Sequence, residues 1–184
     1  MQAVGAAMQT CGYERWWNAL LELRCLQKSS KIILYPIQAS IYMAALTRSA
    51  SDSSHGVVPE RRRQLLQFAK DIWYEVGPAR DSDTFNSGMG AALNLCAVSN
   101  EPEALHWAEE LWDWAQGRML KLNDRSYSDY MIVLESFRLY DRVDQVLTEC
   151  KRRTSIDRVF VADMMNIAAR HYDWQRADAL WETL

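Results

Sequence analysis

Chain breakers are scarce: the 184 residues include only four Pro and seven Gly. Few breakers leave little room for tight hairpin turns, so long packed helices are expected to fill the chain. No apolar run approaches the roughly 18 residues of a membrane span, and no membrane partner is expected. A global excess of positive charge is also missing, with 21 Lys and Arg against 24 Asp and Glu and a net charge of -3. Indiscriminate polyanion binding is therefore not expected, and a nucleic-acid surface would have to be a local patch. The four cysteines, Cys11, Cys25, Cys96 and Cys150, form no C-x-x-C pair. They read as buried thiols of a protein in a reducing compartment, not as disulfides or metal ligands. The N-terminus shows neither a signal-peptide pattern nor an Arg-rich presequence, and "MQAVGAAMQTC" reads as helix.

The signatures of common catalytic sites are missing too. No G-x-x-x-x-G-K-[ST], H-E-x-x-H or G-x-S-x-G occurs. His55, His106 and His171 are isolated from one another. "DSDT" (81–84) and the other acidic spots read as helix caps. The expectation is a protein with no catalytic residues, no metal and no cofactor.

What is abundant is aromatic: eight Trp and eight Tyr. Three of the tryptophans end the same short phrase. It appears as Ala69-x-x-Ile72-Trp73, Ala108-x-x-Leu111-Trp112 and Ala177-x-x-Leu180-Trp181, with a weaker copy at Val143-x-x-Val146-Leu147. The leading positions are 39, 35 and 34 residues apart. A period near 35 in a helical chain marks an array of helix pairs. Within each pair a small Ala lets a neighbouring helix approach. The aliphatic and the Trp, three and four residues on, share that face and fill the groove. Each such indole would bury roughly 150–250 Å².

An earlier helix is expected upstream of each phrase, at 39–50, 84–98, 126–140 and 160–172, with 3–11 preceding 14–26 in the first unit. Asp83, Thr84, Asn100, Asp141 and Asp173 are placed to cap helices, with Pro102 early in the next. The units run about 1–37, 38–82, 83–123, 124–156 and 157–184 in a single domain, and "SASDSSHGVVP" (49–59) is a long loop in the second. The fold class is all-α: a solenoid of about five stacked helix-turn-helix repeats.

With these phrases in view, the chain resembles the pentatricopeptide repeat family. First helices of that family open with an aromatic, matched here by Phe85 in "FNSGM" and Tyr127 in "YSDYM", and more loosely by Tyr42 and Phe160. Its second helices carry an Ala-x-x-Leu-Phe-like pattern. The sister tetratricopeptide repeats share the architecture but bind peptides, and their Trp/Leu/Gly/Tyr pattern is not visible. The resemblance implies a right-handed superhelix that binds single-stranded RNA, one base per repeat, in mitochondria or plastids. It assigns base reading to Asn86, after Phe85, to Asn123, which closes that unit, and to Ser128, after Tyr127. A local helix-start role competes for Asn86 and Ser128. Met43 and Val161, in the matching positions of other units, cannot read a base edge. RNA contact is therefore expected to be mainly to backbone and shape, in a subunit of a mitochondrial ribonucleoprotein such as the mitochondrial ribosome, beside other protein subunits. A tetratricopeptide-like protein scaffold is the alternative. Phosphate contacts are expected from Arg61, Arg62 and Arg63 and from Lys151, Arg152 and Arg153, with Lys28 and Lys31 as a third cluster.

Overall fold

The computed structural model describes residues 6–7, 10–11, 17–50, 59–77, 82–99, 101–118, 120–153, 158–170 and 172–182. Among them the regular structure is α-helix, with no strand. The helices are α1 (Trp17–Ser29), α2 (Pro36–Ala50), α3 (Pro59–Val76), α4 (Ser82–Ser99), α5 (Pro102–Gly117), α6 (Asp124–Ser136), α7 (Tyr140–Arg153), α8 (Arg158–Arg170) and α9 (Trp174–Trp181). Each of the units 38–82, 83–123, 124–156 and 157–184 holds two of them. The expected helix 3–11 falls mostly outside the described residues, as do positions 51–58 of the expected loop. Ser49 and Ala50, which the expected helix 39–50 and the expected loop 49–59 share, end α2 as buried residues.

Several ends follow from local chemistry. Pro102 opens α5, where its missing N–H is no loss. The N-cap there is Glu101, with no side-chain bond, and Asn100 lies outside the described residues. The Asn123 Oδ1 caps α6 by accepting from Ser126 N at 2.9 Å. Asp173 caps α9 by accepting from Arg176 N at 3.0 Å. Asp141 is not a cap but lies in the first turn of α7, where its charge favours the helix dipole.

The helices expected to run to 140 and 172 stop sooner, and for one reason. Arg138 and Tyr172 take left-handed backbone at φ 60° and 59°. The N–H of Arg138 donates to Glu135 O and that of Leu139 to Leu134 O. The N–H of Tyr172 donates to Ala169 O and that of Asp173 to Ala168 O. These are Schellman turns, which close a helix by satisfying its last carbonyls. The two turns match residue for residue, 34 positions apart.

Packing follows chain order. The first helices of the pairs pack in succession, α2 on α4, α4 on α6 and α6 on α8. Each also packs on its own partner, in the pairs α2–α3, α4–α5, α6–α7 and α8–α9. The preceding second helix adds the contacts α1–α2, α3–α4 and α5–α6. The leading positions of the repeated phrase, Ala69, Ala108, Val143 and Ala177, are all buried. Below them sit Ile72, Leu111 and Val146, also buried. In α1 the inward row is Leu20, Arg24 and Gln27. Arg24 donates to Gln27 and to Glu75 of α3. That register turns Cys25 outward, so one of the four expected buried thiols is exposed, while the other three are buried.

Candidate interaction surfaces

The row of first helices is tied together by polar side chains, and the three nominated base readers are among the ties. Asn86 of α4 is buried; its Nδ2 donates to Lys121 O at 3.0 Å and its Oδ1 accepts from Ser126 Oγ at 2.8 Å. Ser126 Oγ also reaches the Oδ1 of Asn123, 3.0 Å away. Ser128 is fully buried and donates to Asp163 Oδ2 on α8 at 3.0 Å. Asn86 and Asn123 therefore meet at Ser126, and Ser128 stands apart from them. All three are engaged in helix-to-helix or capping bonds, roles that differ from the assigned reading of bases.

Next to Ser128 lies a group that reading acidic spots as caps missed. Asp129, in the interior of α6, is 2 % exposed. Arg125 Nε stands 3.1 Å from its Oδ1, and Arg125 Nη1 also reaches Asp163 Oδ2 at 3.2 Å. The Asp129 Oδ1 nonetheless has no aligned hydrogen-bond donor among the described residues. Burial pushes its carboxyl up to about 6, against the pull of the Arg125 charge and the Asn94 amide. The helix opposite leaves it space: a Cβ at Gly90 of α4 would come within 2.6 Å of Asp129 Oδ2. A signal for this was present in the sequence, in the glycine of one first helix and the mid-helix acid of the next. Nearby, a groove of ≈ 540 Å³ is lined by Asn94, Ile132, Glu135, Arg138 and Ile167 of the same row. The row is thus studded with acids.

The second helices are joined differently, at one recurring seat. The residue after each leading position meets the residue before the next one. Lys70 Nζ lies over the Trp107 ring, 6.0 Å from its centroid. Glu109 pairs with Arg142, which also donates from Nη2 to Tyr130 OH at 3.0 Å. Asp144 Oδ1 pairs with Arg176 Nη2 at 2.7 Å. The tryptophans of the phrase repeat as well. Trp73 packs on Phe85 with ring centroids 5.9 Å apart, and Trp112 on Tyr127 at 5.1 Å and Tyr130 at 4.3 Å. Phe85 and Tyr127 are each the fourth residue of their helix. Trp181 departs from the expectation of an equivalent buried seat: it is 64 % exposed, with no further described helix beyond it.

The two main basic clusters are not brought together. Arg63, at the start of α3, reaches Glu101 at the start of α5, 3.3 Å away. Arg153, at the end of α7, donates to Gln116 in the last turn of α5 at 3.0 Å and pairs with Glu149 at 3.2 Å. The clusters thus lie toward opposite ends of α5, about 20 Å apart at 1.5 Å per residue. Arg61 and Arg62 are half-buried. Lys151 and Arg152 are exposed, with no ionic partner among the described residues. His106 is exposed, its Nε2 3.2 Å from Glu110 Oε1, and His55 and His171 lie outside the described residues. Among the described residues no three His, Cys, Asp or Glu side chains gather as a metal site. No helix among them is long and apolar enough to cross a membrane. Comparison with protein-family models, with curated proteins and with solved structures finds no match to this chain.

Proposed function

We propose that the chain is a non-catalytic helical-repeat protein of pentatricopeptide type, its pairs stacked as a right-handed α-solenoid. In this reading it is an RNA-associated subunit of a mitochondrial ribonucleoprotein, the mitochondrial ribosome or an RNA-processing or assembly complex. The chain-order packing and the recurring seats support the stacking. The compartment rests on the family resemblance. RNA is held through phosphates, not read base by base. One contrast carries that choice: Asn86 and Ser128 are buried and bonded within the fold, and the exposed Asn123 uses its Oδ1 to cap α6, whereas Lys151 and Arg152 are exposed and available. An exposed cation at a helix end reaches a phosphate at little cost, while a buried amide would first have to break its own bonds.

Gel shifts with single-stranded and ribosomal RNA fragments, between about 50 and 200 mM salt, test this. Binding should weaken steeply with salt. Lys151→Glu with Arg152→Glu should lower the slope of log affinity on log salt by about two. Asn86→Ala should lower stability by about 1–3 kcal/mol and leave sequence preference unchanged. Absence of a shift for both the chain and its parent complex, or a slope that ignores the double variant, refutes phosphate contact. A tetratricopeptide-like protein scaffold is the second reading, favoured by the exposed indoles of Trp174 and Trp181. Crosslinks in the native assembly that reach proteins alone would select it.

A further inference from the structure

The exposed side of α9 carries a stripe that elsewhere in the molecule is covered. Trp174 and Trp181 are 62 % and 64 % exposed, and Asp178 between them is exposed without a partner among the described residues. The spacing of four and then three residues places all three on one helix face. Two of them occupy seats already defined by the preceding units. Trp181 stands where Trp73 and Trp112 stand, four residues after a buried alanine. Asp178 stands where Lys70, Glu109 and Asp144 stand, one residue after the leading position. In the earlier units both seats are filled by the next helix pair. An aromatic ring at the fourth position of its first helix covers the Trp, as Phe85 and Tyr127 do. A residue near the start of its second helix meets the other seat; where that seat holds an acid, the partner is Arg142 or Arg176, each the third residue of its helix.

We infer that this face of α9 docks a helical hairpin of a partner protein. The hairpin presents an aromatic ring in the first turn of its first helix and an arginine or lysine in the first turn of its second. The chemistry of the occupant is set by the two seats. Trp181 needs a flat apolar ring, and Asp178 needs a cation. Two exposed indoles flanking one acid also make an aromatic anchor of the kind that dominates protein interfaces. The inference rests on the stacked-pair reading of the fold and is independent of RNA binding.

The probe is a second copy of residues 124–153, which carries Tyr127 and Arg142 in the required positions, tethered to the C-terminal end of the full chain by a flexible linker. Docking is read by thermal melting. The tethered copy should raise Tm in the parent chain and not in the Trp181→Ala variant. With Asp178→Lys the rise should shrink more at low salt than at high salt. The inference is overturned if the tethered copy leaves Tm unchanged, or if the rise survives Trp181→Ala. Self-association of the untethered chain lost in Trp181→Ala would assign the seat to a second copy, and a native continuation past residue 184 with the same two residues would assign it to the chain's own next hairpin; either overturns the partner assignment. Trp112→Ala separates this from the stacking itself. It should lower Tm, because its seat is filled, whereas Trp181→Ala should not. A harmless Trp112→Ala defeats the stacking reading; a harmful one with docking indifferent to Trp181 defeats only the inference.

Discussion

Replacing Asp129 by Asn should stabilise the protein above neutral pH and lose that advantage in acid. The carboxyl titrates at about 6 in the fold, against 3.8 for an unperturbed Asp. Burial is the dominant cause, and the nearby Asp163 carboxylate adds to it; Arg125 and Asn94 oppose it. The folded chain therefore holds this proton more tightly than the unfolded chain does. Its contribution to stability is fully present below the unfolded value and is lost as pH rises through about 6. The shift of about two units corresponds to about 3 kcal/mol at 1.36 kcal/mol per unit. Roughly 2 kcal/mol of that falls between pH 4.5 and 7.5. Asn has nearly the same shape, cannot ionise, and removes this loss. Urea unfolding of both proteins across that range checks it, with the difference between the two curves isolating Asp129 from every other carboxylate. The advantage of Asp129→Asn should grow by about 2 kcal/mol toward alkaline pH. A difference that stays flat, or grows toward acid, refutes the picture of a charge paying for its burial.

Two further substitutions probe the same packing. Gly90→Ala puts a methyl 2.6 Å from Asp129 Oδ2 and should destabilise by about 1–3 kcal/mol despite the better helix propensity of Ala; adding Asp129→Ala should restore most of that loss in a double-mutant melt, and no restoration would place the cost elsewhere. Arg138→Gly and Tyr172→Gly relieve left-handed backbone at φ 60° and 59°. Each should raise stability by up to about 1 kcal/mol, with Arg138→Val lowering it, as read by thermal unfolding.

The helix pairs were legible in the sequence because the repeated phrase records a physical need. Ala69, Ala108 and Ala177 are small where another helix must come close, and all are buried. The aliphatic position repeats for the same reason. Helix ends were less legible. Nothing about Arg138 or Tyr172 as residue types announces left-handed backbone, which glycine would have signalled; the turns are visible only from the carbonyls they satisfy. Sites were least legible, because an Asn or Ser at a helix start has two uses with one spelling. Asn86 and Ser128 could face a base or a neighbouring helix, and only the partner decides. Here the partners are Lys121 and Ser126 for one and Asp163 for the other. Each partner lies about one unit further along the chain. The period of the hydrophobic phrase and the reach of the polar ties are therefore one feature. A residue that ties unit to unit must lie on the face turned to its neighbour, and that face is withdrawn from any ligand. Lys151 and Arg152 escape this constraint, being exposed with no ionic partner among the described residues, unlike Arg153, which is tied to Gln116 of the preceding unit. That leaves Lys151 and Arg152 available to phosphate while the amides nominated for base reading are engaged.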